Sequence, residues 1–314
     1  VGGLSGQAAT LRRWLAERPF VVLDGGLATT LENHGHDLDD ALWSARLLRD
    51  DPEAIREVHR EFAAAGADCL VTASYQANVQ ALVAAGASTD EAARLLRLSV
   101  RLAAEVGDEL LRPDGGPLVA ASIGPYGAFL ADGSEYVGDY GALGDEALAA
   151  FHRPRWEILS GCCDLFACET LPSRREAAVL LELLGRTPGL GAWFSFACRD
   201  GEHIADGTPL AECAALCAAS EQVLAVGVNC AAPALIDSLI AAASRGAPEL
   251  PIVVYPNSGE TYVAAGRWWR GRAAPLALAA PGWWRAGARL IGGCCRTGPA
   301  EIRALRQALT AAAG

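Results

Sequence analysis

Two apolar runs of this chain stop on cysteine: LAVGVNC ends at Cys230, and ARLIGGCC ends at Cys294 and Cys295. Three soft thiolates at strand ends make a donor set for a zinc ion whose fourth position stays open. An open position separates a catalytic zinc from a closed structural one. Neighbouring side chains on a regular strand point to opposite faces. Cys294 and Cys295 therefore share an ion only if the backbone leaves strand geometry, a freedom expected of Gly292 and Gly293. The other vicinal pair, Cys162–Cys163, precedes an apolar run and reads as small buried residues, free Cys being among the most buried types.

Carboxylates fall at comparable places, Asp24 in LDGG and Glu169 in ACET. A buried charge is costly unless paired. At the mouth of a fold the two acids would suit the ammonium group of a ligand, and the plainer reading of Asp24 is a cap on its own loop. Trp43, Tyr75 and Tyr126 lie at or just past such ends. They read either as core or as aromatic faces that attract a cation. None of the five histidines closes an apolar run. His34 and His36 read as solvated loop residues and His59 as a surface or core-edge residue, while His152 and His203 have no evident partner. Without a nucleophile–base pair, a hydrolase using an activated side chain has no support. Dinucleotide and P-loop glycine patterns are absent too.

Eight runs must position these groups: 21–26, 69–75, 117–126, 165–170, 191–198, 223–230, 251–257 and 288–295. Between them helical spacing recurs over 52–66, 90–110, 144–161 (interrupted at Pro154), 173–185, 209–220, 233–246 and 299–314. Near-continuous apolar strands alternating with helices predict a parallel sheet covered on its outside. Eight such units predict a closed (β/α)₈ TIM barrel, with function at the C-terminal strand ends. The polar chemistry falls there: Asp24, Ser74, Tyr75, Tyr126, Glu169, Asn229, Cys230, Tyr255, Asn257, Cys294 and Cys295. Two irregular stretches, 124–142 and 256–282, become loops over that face. No linker divides the chain, so 1–314 is expected to form one barrel domain.

At 314 residues, 52% hydrophobic and 20% charged, the chain can bury a large core. A net charge of −11 without a Lys/Arg run argues against nucleic acid. No apolar stretch approaches the ~20 residues of a membrane span. The first residues lack the order of a signal peptide. A cytoplasmic enzyme acting on small molecules, as a monomer or small homo-oligomer, is the expectation. The ten cysteines are then expected to be reduced, because their spacing is unlike a secreted disulfide framework.

LDGGLATTLE, LWSARLL, PEAIREVHREFAAAGAD, TASYQA, GPYGAFLADGSEY, ACETLP, AWFSF, DGTPL, GVNC, VVYPNSGE and GARLIGGCCRT together resemble the homocysteine S-methyltransferase family, from about residue 20 to 310. The resemblance is to the bacterial and plant branch that uses S-methylmethionine, with S-adenosylmethionine as a second donor. It implies Cys230, Cys294 and Cys295 as zinc ligands. It also implies Asp24, the Gly25 backbone and Glu169 around the amino-acid end of homocysteine, with Trp43 and Tyr75 on the donor side. Ser74, Tyr126 and Asn229 complete the expected substrate wall. No side chain is then the nucleophile: the substrate's own thiolate, activated by zinc, attacks the donor methyl. Leu27 and Thr30 stand where relatives often carry Met and Glu, and neither touches an expected ligand. The alternatives are a betaine- or selenocysteine-type methyltransferase, a Cys₃-zinc barrel hydrolase or lyase, and a binding barrel with a structural metal. In a hydrolase Glu169 would be a base beside zinc-bound water; in a methyltransferase it would be an amine clamp.

Overall fold

All eight apolar runs become strands of one sheet. A computed structural model describes residues 3–38, 43–110, 115–263, 268–271 and 273–314. The strands are β1 (Val21–Val22), β2 (Cys69–Val71), β3 (Leu118–Ile123), β4 (Leu165–Leu171), β5 (Gly191–Phe196), β6 (Val223–Asn229), β7 (Ile252–Tyr255) and β8 (Ala288–Ile291). Their order is β1-β8-β7-β6-β5-β4-β3-β2, and every pairing is parallel. A parallel bridge from Leu23 to Cys69 brings β1 back to β2, with Asp68 N–H donating to the Val22 carbonyl at 2.7 Å. The fold is a (β/α)₈ barrel.

Period-two alternation divides the core into two layers. Within β4, Leu165 and Ala167 join the barrel interior while Phe166 and Cys168 face the helices. The helices end where their chemistry dictates. Pro52–Ala65 starts with Asp51 accepting from Ala54 N–H at 3.3 Å and stops at Gly66, whose φ is +105°. Arg174–Gly185 begins with the Ser173 hydroxyl accepting from Glu176 N–H at 3.2 Å.

Three expectations are corrected. The helix Asp145–Ser160 runs unbroken through Pro154. Burial of Phe151, His152, Arg155, Trp156 and Leu159 along one side outweighs the lost backbone bond. The stretch 256–282 contains an antiparallel hairpin, Thr261–Val263 with Trp268–Arg270, and the helix Leu276–Arg285. The stretch 124–142 contains the short helix Tyr126–Leu130 and a 3₁₀ turn at Ser134–Tyr136.

One element had no counterpart in the sequence reading. The helix Gly6–Glu17 closes the barrel floor, sending Ala8, Leu11 and Trp14 into the interior cluster that contains Trp193, Leu224 and Leu290. It is tied to the N-terminal strand ends: Gln7 N–H donates to Asp164 at 3.2 Å and Ser5 N–H to the Gly189 carbonyl at 3.0 Å. Among the described residues no helix is long and apolar enough to cross a membrane.

Candidate metal and substrate site

The opposite end of the barrel is polar. Cys230 follows β6, and Cys294 and Cys295 follow β8; their three sulfurs all lie within 4.8 Å of one another. Cys230 Sγ is 3.6 Å from Cys295 Sγ and is disulfide-bonded to Cys294. The expectation of ten reduced thiols therefore fails for this pair. Thiols that converge to share one ion are also close enough to be oxidised to each other. An ion holding thiolates tetrahedrally at about 2.3 Å spaces them about 3.8 Å apart. The Cys230–Cys295 separation fits that edge, and the donor set is soft and half-buried.

The backbone reaches this arrangement differently from what the glycines implied. Gly292 and Gly293 are absent from the left-handed positions; Cys230 (φ +49°) and Arg296 (φ +64°) occupy that region instead. The glycines are needed for close approach. A Cβ on Gly292 would sit 2.6 Å from Leu23 Cβ, and one on Gly293 2.3 Å from Thr297 Oγ1. The turn is then stapled to neighbouring strand ends. Gly293 N–H donates to the Asp24 carbonyl at 3.1 Å, Cys294 N–H to the Pro256 carbonyl at 2.8 Å, and Ser258 N–H to the Cys295 carbonyl at 3.0 Å. Arg296 pairs with Glu260 at 3.1 Å across the same turn.

Asp24 and Glu169 are both buried beside this cluster. Asp24 Oδ2 accepts from Val71 N–H at 2.8 Å. Burial holds its carboxyl well above the usual carboxylate range, and the charge of Glu169 adds to the rise. Glu169 takes a hydrogen bond from the Ser122 hydroxyl. Burial nevertheless pushes it up to about 7. Two acids so poorly solvated gain most from a shared cation. Burial also pushes the Cys295 thiol up to about 11, with Glu32, Glu169 and Glu135 adding to it.

Asn229 is fully buried and already engaged. Its Oδ1 accepts from Thr170 N–H at 2.7 Å and from the Ser195 hydroxyl at 2.9 Å, and its Nδ2 donates to Thr170 Oγ1 at 2.8 Å. It thereby fixes Thr170, held at φ +56° next to Glu169. Ser74 is likewise buried, donating to the Ser122 carbonyl at 2.8 Å. Tyr75 is half-buried; burial raises its hydroxyl pKa well above the ordinary value, and the charges of Glu135 and Glu169 add to the rise. Tyr126 packs edge-on against Phe151 and Tyr140 at 5.0 and 5.3 Å. Gly25 lies under Thr297, whose carbonyl would be 2.6 Å from an added Cβ. Trp43 opens the 3₁₀ turn Trp43–Arg46, and its side chain lies outside the described residues.

A buried network behind the mouth escaped the sequence reading. Glu176 accepts from the Tyr140 hydroxyl and meets His152 Nε2, each at 2.8 Å, and also takes the Tyr126 N–H. Arg155 contacts His152 Nδ1 at 3.1 Å and donates to the Gly124 and Tyr75 carbonyls at 2.6 and 3.2 Å. The available signal was helical spacing. His152 and Arg155 share a face with Phe151, Trp156 and Leu159, so both polar groups had to be buried. The remaining histidines stay out of the site. His34 is exposed and pairs with Glu61 at 3.1 Å, and His203 pairs with Asp200 at 3.0 Å. His59 is fully buried, which corrects its surface or core-edge reading.

Comparison with known proteins agrees with this geometry. The sequence model described as Homocysteine S-methyltransferase matches residues 21–309. "Homocysteine S-methyltransferase" of Escherichia coli (strain K12) is 49% identical over 94% of this chain and 97% of its own length. "Selenocysteine Se-methyltransferase" of Brassica oleracea var. italica is 42% identical over 93% and 90%. The metallated crystal form of the homocysteine methyltransferase MmuM from Escherichia coli superposes with a TM-score of 0.86 at 47% identity, covering 95% of this chain and 99% of that one. Its oxidized form superposes at 0.87 with 46% identity over 96% and 99%. Converging thiols, paired acids and barrel frame thus coincide with relatedness over nearly the full length, and the chain belongs to the homocysteine S-methyltransferase family.

Proposed function

We propose that this homocysteine S-methyltransferase binds zinc through Cys230, Cys294 and Cys295 and takes its methyl group from S-methylmethionine, with residues 1–314 acting as one catalytic domain. The convergence of three cysteine sulfurs within 4.8 Å is the observation that carries the reading. All three thiols must be reduced to serve as thiolates. When bound, zinc would lower the thiol pKa of homocysteine so that its sulfur is nucleophilic at neutral pH.

The protein's own groups supply position. Asp24 and Glu169 receive the homocysteine ammonium, which relieves the charge burden that burial places on both. The Gly25 backbone borders the same end. Asn229 acts through Thr170 to hold Glu169, and Ser74 acts through the Ser122 carbonyl to hold the wall between β2 and β3. Tyr75, Tyr126 and Trp43 flank the donor. Its methyl carbon already sits on a sulfonium, whose leaving group is a neutral thioether, so no general acid is required. In-line alignment of sulfur, methyl and sulfonium becomes the main task, and orientation of this kind is worth up to ~7–11 kcal/mol. The products are two methionines.

The 124–142 segment carries Asp132, Glu135 and Asp139 without Lys or Arg. That wall favours a donor with a second positive charge over betaine, whose carboxylate lies beside its only cationic centre. A donor panel with homocysteine tests the reading. S-methylmethionine is expected to be used well, S-adenosylmethionine less well because of its bulk, and betaine not at all. Comparable methionine formation from betaine would overturn the donor assignment. Selenocysteine belongs in the acceptor panel because of the Brassica relative.

A further inference from the structure

The donor wall contains two hydrogen-bond acceptors that the protein leaves unmet. Gln76 Oε1 and Glu135 Oε2 are buried, and neither has a partner among the described residues. Both residues abut the short helix Tyr126–Leu130. Gln76 reaches it by donating Nε2 to the Ala128 carbonyl at 3.4 Å, while its Oε1 accepts no hydrogen bond among the described residues. Glu135 reaches it because Gly127 has no side chain: a Cβ there would lie 2.4 Å from Glu135 N. The turn carrying Glu135 is fixed, with Asp132 Oδ1 accepting from Ser134 N–H at 3.0 Å and Tyr136 N–H donating to the Gly133 carbonyl at 2.9 Å. The charge of Glu135 acts on Tyr75, Tyr140 and Cys295, so it stands over the mouth.

An unmet buried acceptor costs free energy until a donor arrives. An ammonium group has three N–H donors and no acceptor, so it can satisfy a carboxylate and an amide oxygen together. Asp24 and Glu169 already account for the homocysteine ammonium. We infer that Glu135, assisted by Gln76, binds the α-ammonium of the methyl donor and selects sulfonium donors that carry one. This rests on the S-methylmethionine reading above and assigns that donor's second charge to a residue.

The test measures Michaelis constants for both substrates in Glu135→Gln, with Glu135→Asp and Gln76→Leu as companions and zinc content as a folding control. Glu135→Gln is expected to raise the constant for S-methylmethionine about tenfold or more, from the lost charged hydrogen bond, and to leave that for homocysteine within about twofold. Glu135→Asp should recover part of the loss, and Gln76→Leu should show the same selectivity at smaller size. A second arm uses (2-carboxyethyl)dimethylsulfonium, which has the sulfonium and carboxylate without the ammonium, as donor or competitive inhibitor. Its constant should not change in Glu135→Gln. Equal losses with both sulfonium compounds, or a loss on the homocysteine side, would overturn the assignment. A wild-type enzyme that makes no methionine from S-methylmethionine would instead break the donor reading beneath it.

Discussion

The two ends of this barrel are built from the same eight strands but pose opposite problems. At the floor, Leu11 and Trp14 from the N-terminal helix meet Trp193, Leu224 and Leu290, and apolar burial needs nothing further. At the mouth, Asp24, Glu169, Cys230, Cys294 and Cys295 are brought together at a cost in desolvation. The floor holds the strands in register, and the mouth uses that rigidity to keep groups close that would otherwise separate. Strain is stored at the mouth as well: Thr170, Cys230 and Arg296 hold positive φ there. The difference assigns stability to one end and ligand dependence to the other.

The largest effect expected at the mouth comes from Cys294→Ala. It should abolish zinc binding and methyl transfer while leaving the helical circular-dichroism signal intact. Wild-type protein with the Cys230–Cys294 disulfide should likewise take up no zinc until reduced. Stoichiometric zinc in the variant, measured by elemental analysis, would sink the three-cysteine assignment. The counterpart at the floor is Leu11→Ala. Removing this fully buried side chain should cost about 2–5 kcal/mol of unfolding free energy, with Michaelis constants unchanged in the folded fraction. Altered substrate constants without lost stability would erase the division between the ends.

The mouth was the more legible end. GVNC and GGCC announce themselves because thiols are conspicuous at the close of an apolar strand, and Asp24 and Glu169 because carboxylates are. Strand alternation with helices likewise indicated the barrel. Of the features that were hidden, three show the physical reasons. The helix Gly6–Glu17 has a weakly segregated sequence, GQAATLRRWLAE, and its role depends on a floor that no local pattern describes. Continuity through Pro154 depends on tertiary burial of Arg155 and Trp156, which local propensity does not contain. The Asn229–Thr170 bonds join positions 59 residues apart, so only the closed sheet shows that Asn229 is engaged.

The finest discrimination lies within the mouth, between ionised and neutral Glu169. Burial holds its folded-state value at about 7, above the ordinary range for a glutamate, so the free site contains a carboxyl that gains a proton as pH falls through neutrality. On the proposed binding mode, only the ionised form would attract the homocysteine ammonium. The Michaelis constant for homocysteine should therefore rise below about pH 7, while that for the donor stays flatter. Binding the ammonium favours the carboxylate, so the apparent transition in the complex should move to lower pH. Glu169→Gln removes a charged hydrogen bond worth roughly 1.5–3 kcal/mol and should raise the homocysteine constant at pH 8 by at least about tenfold. It should also flatten the acid limb, leaving the contribution of Asp24, whose carboxyl is raised by burial first and by Glu169 in addition. Asp24→Asn should weaken homocysteine similarly. A loss confined to the donor in either variant would transfer these acids to the other half of the site and leave the homocysteine ammonium without its clamp.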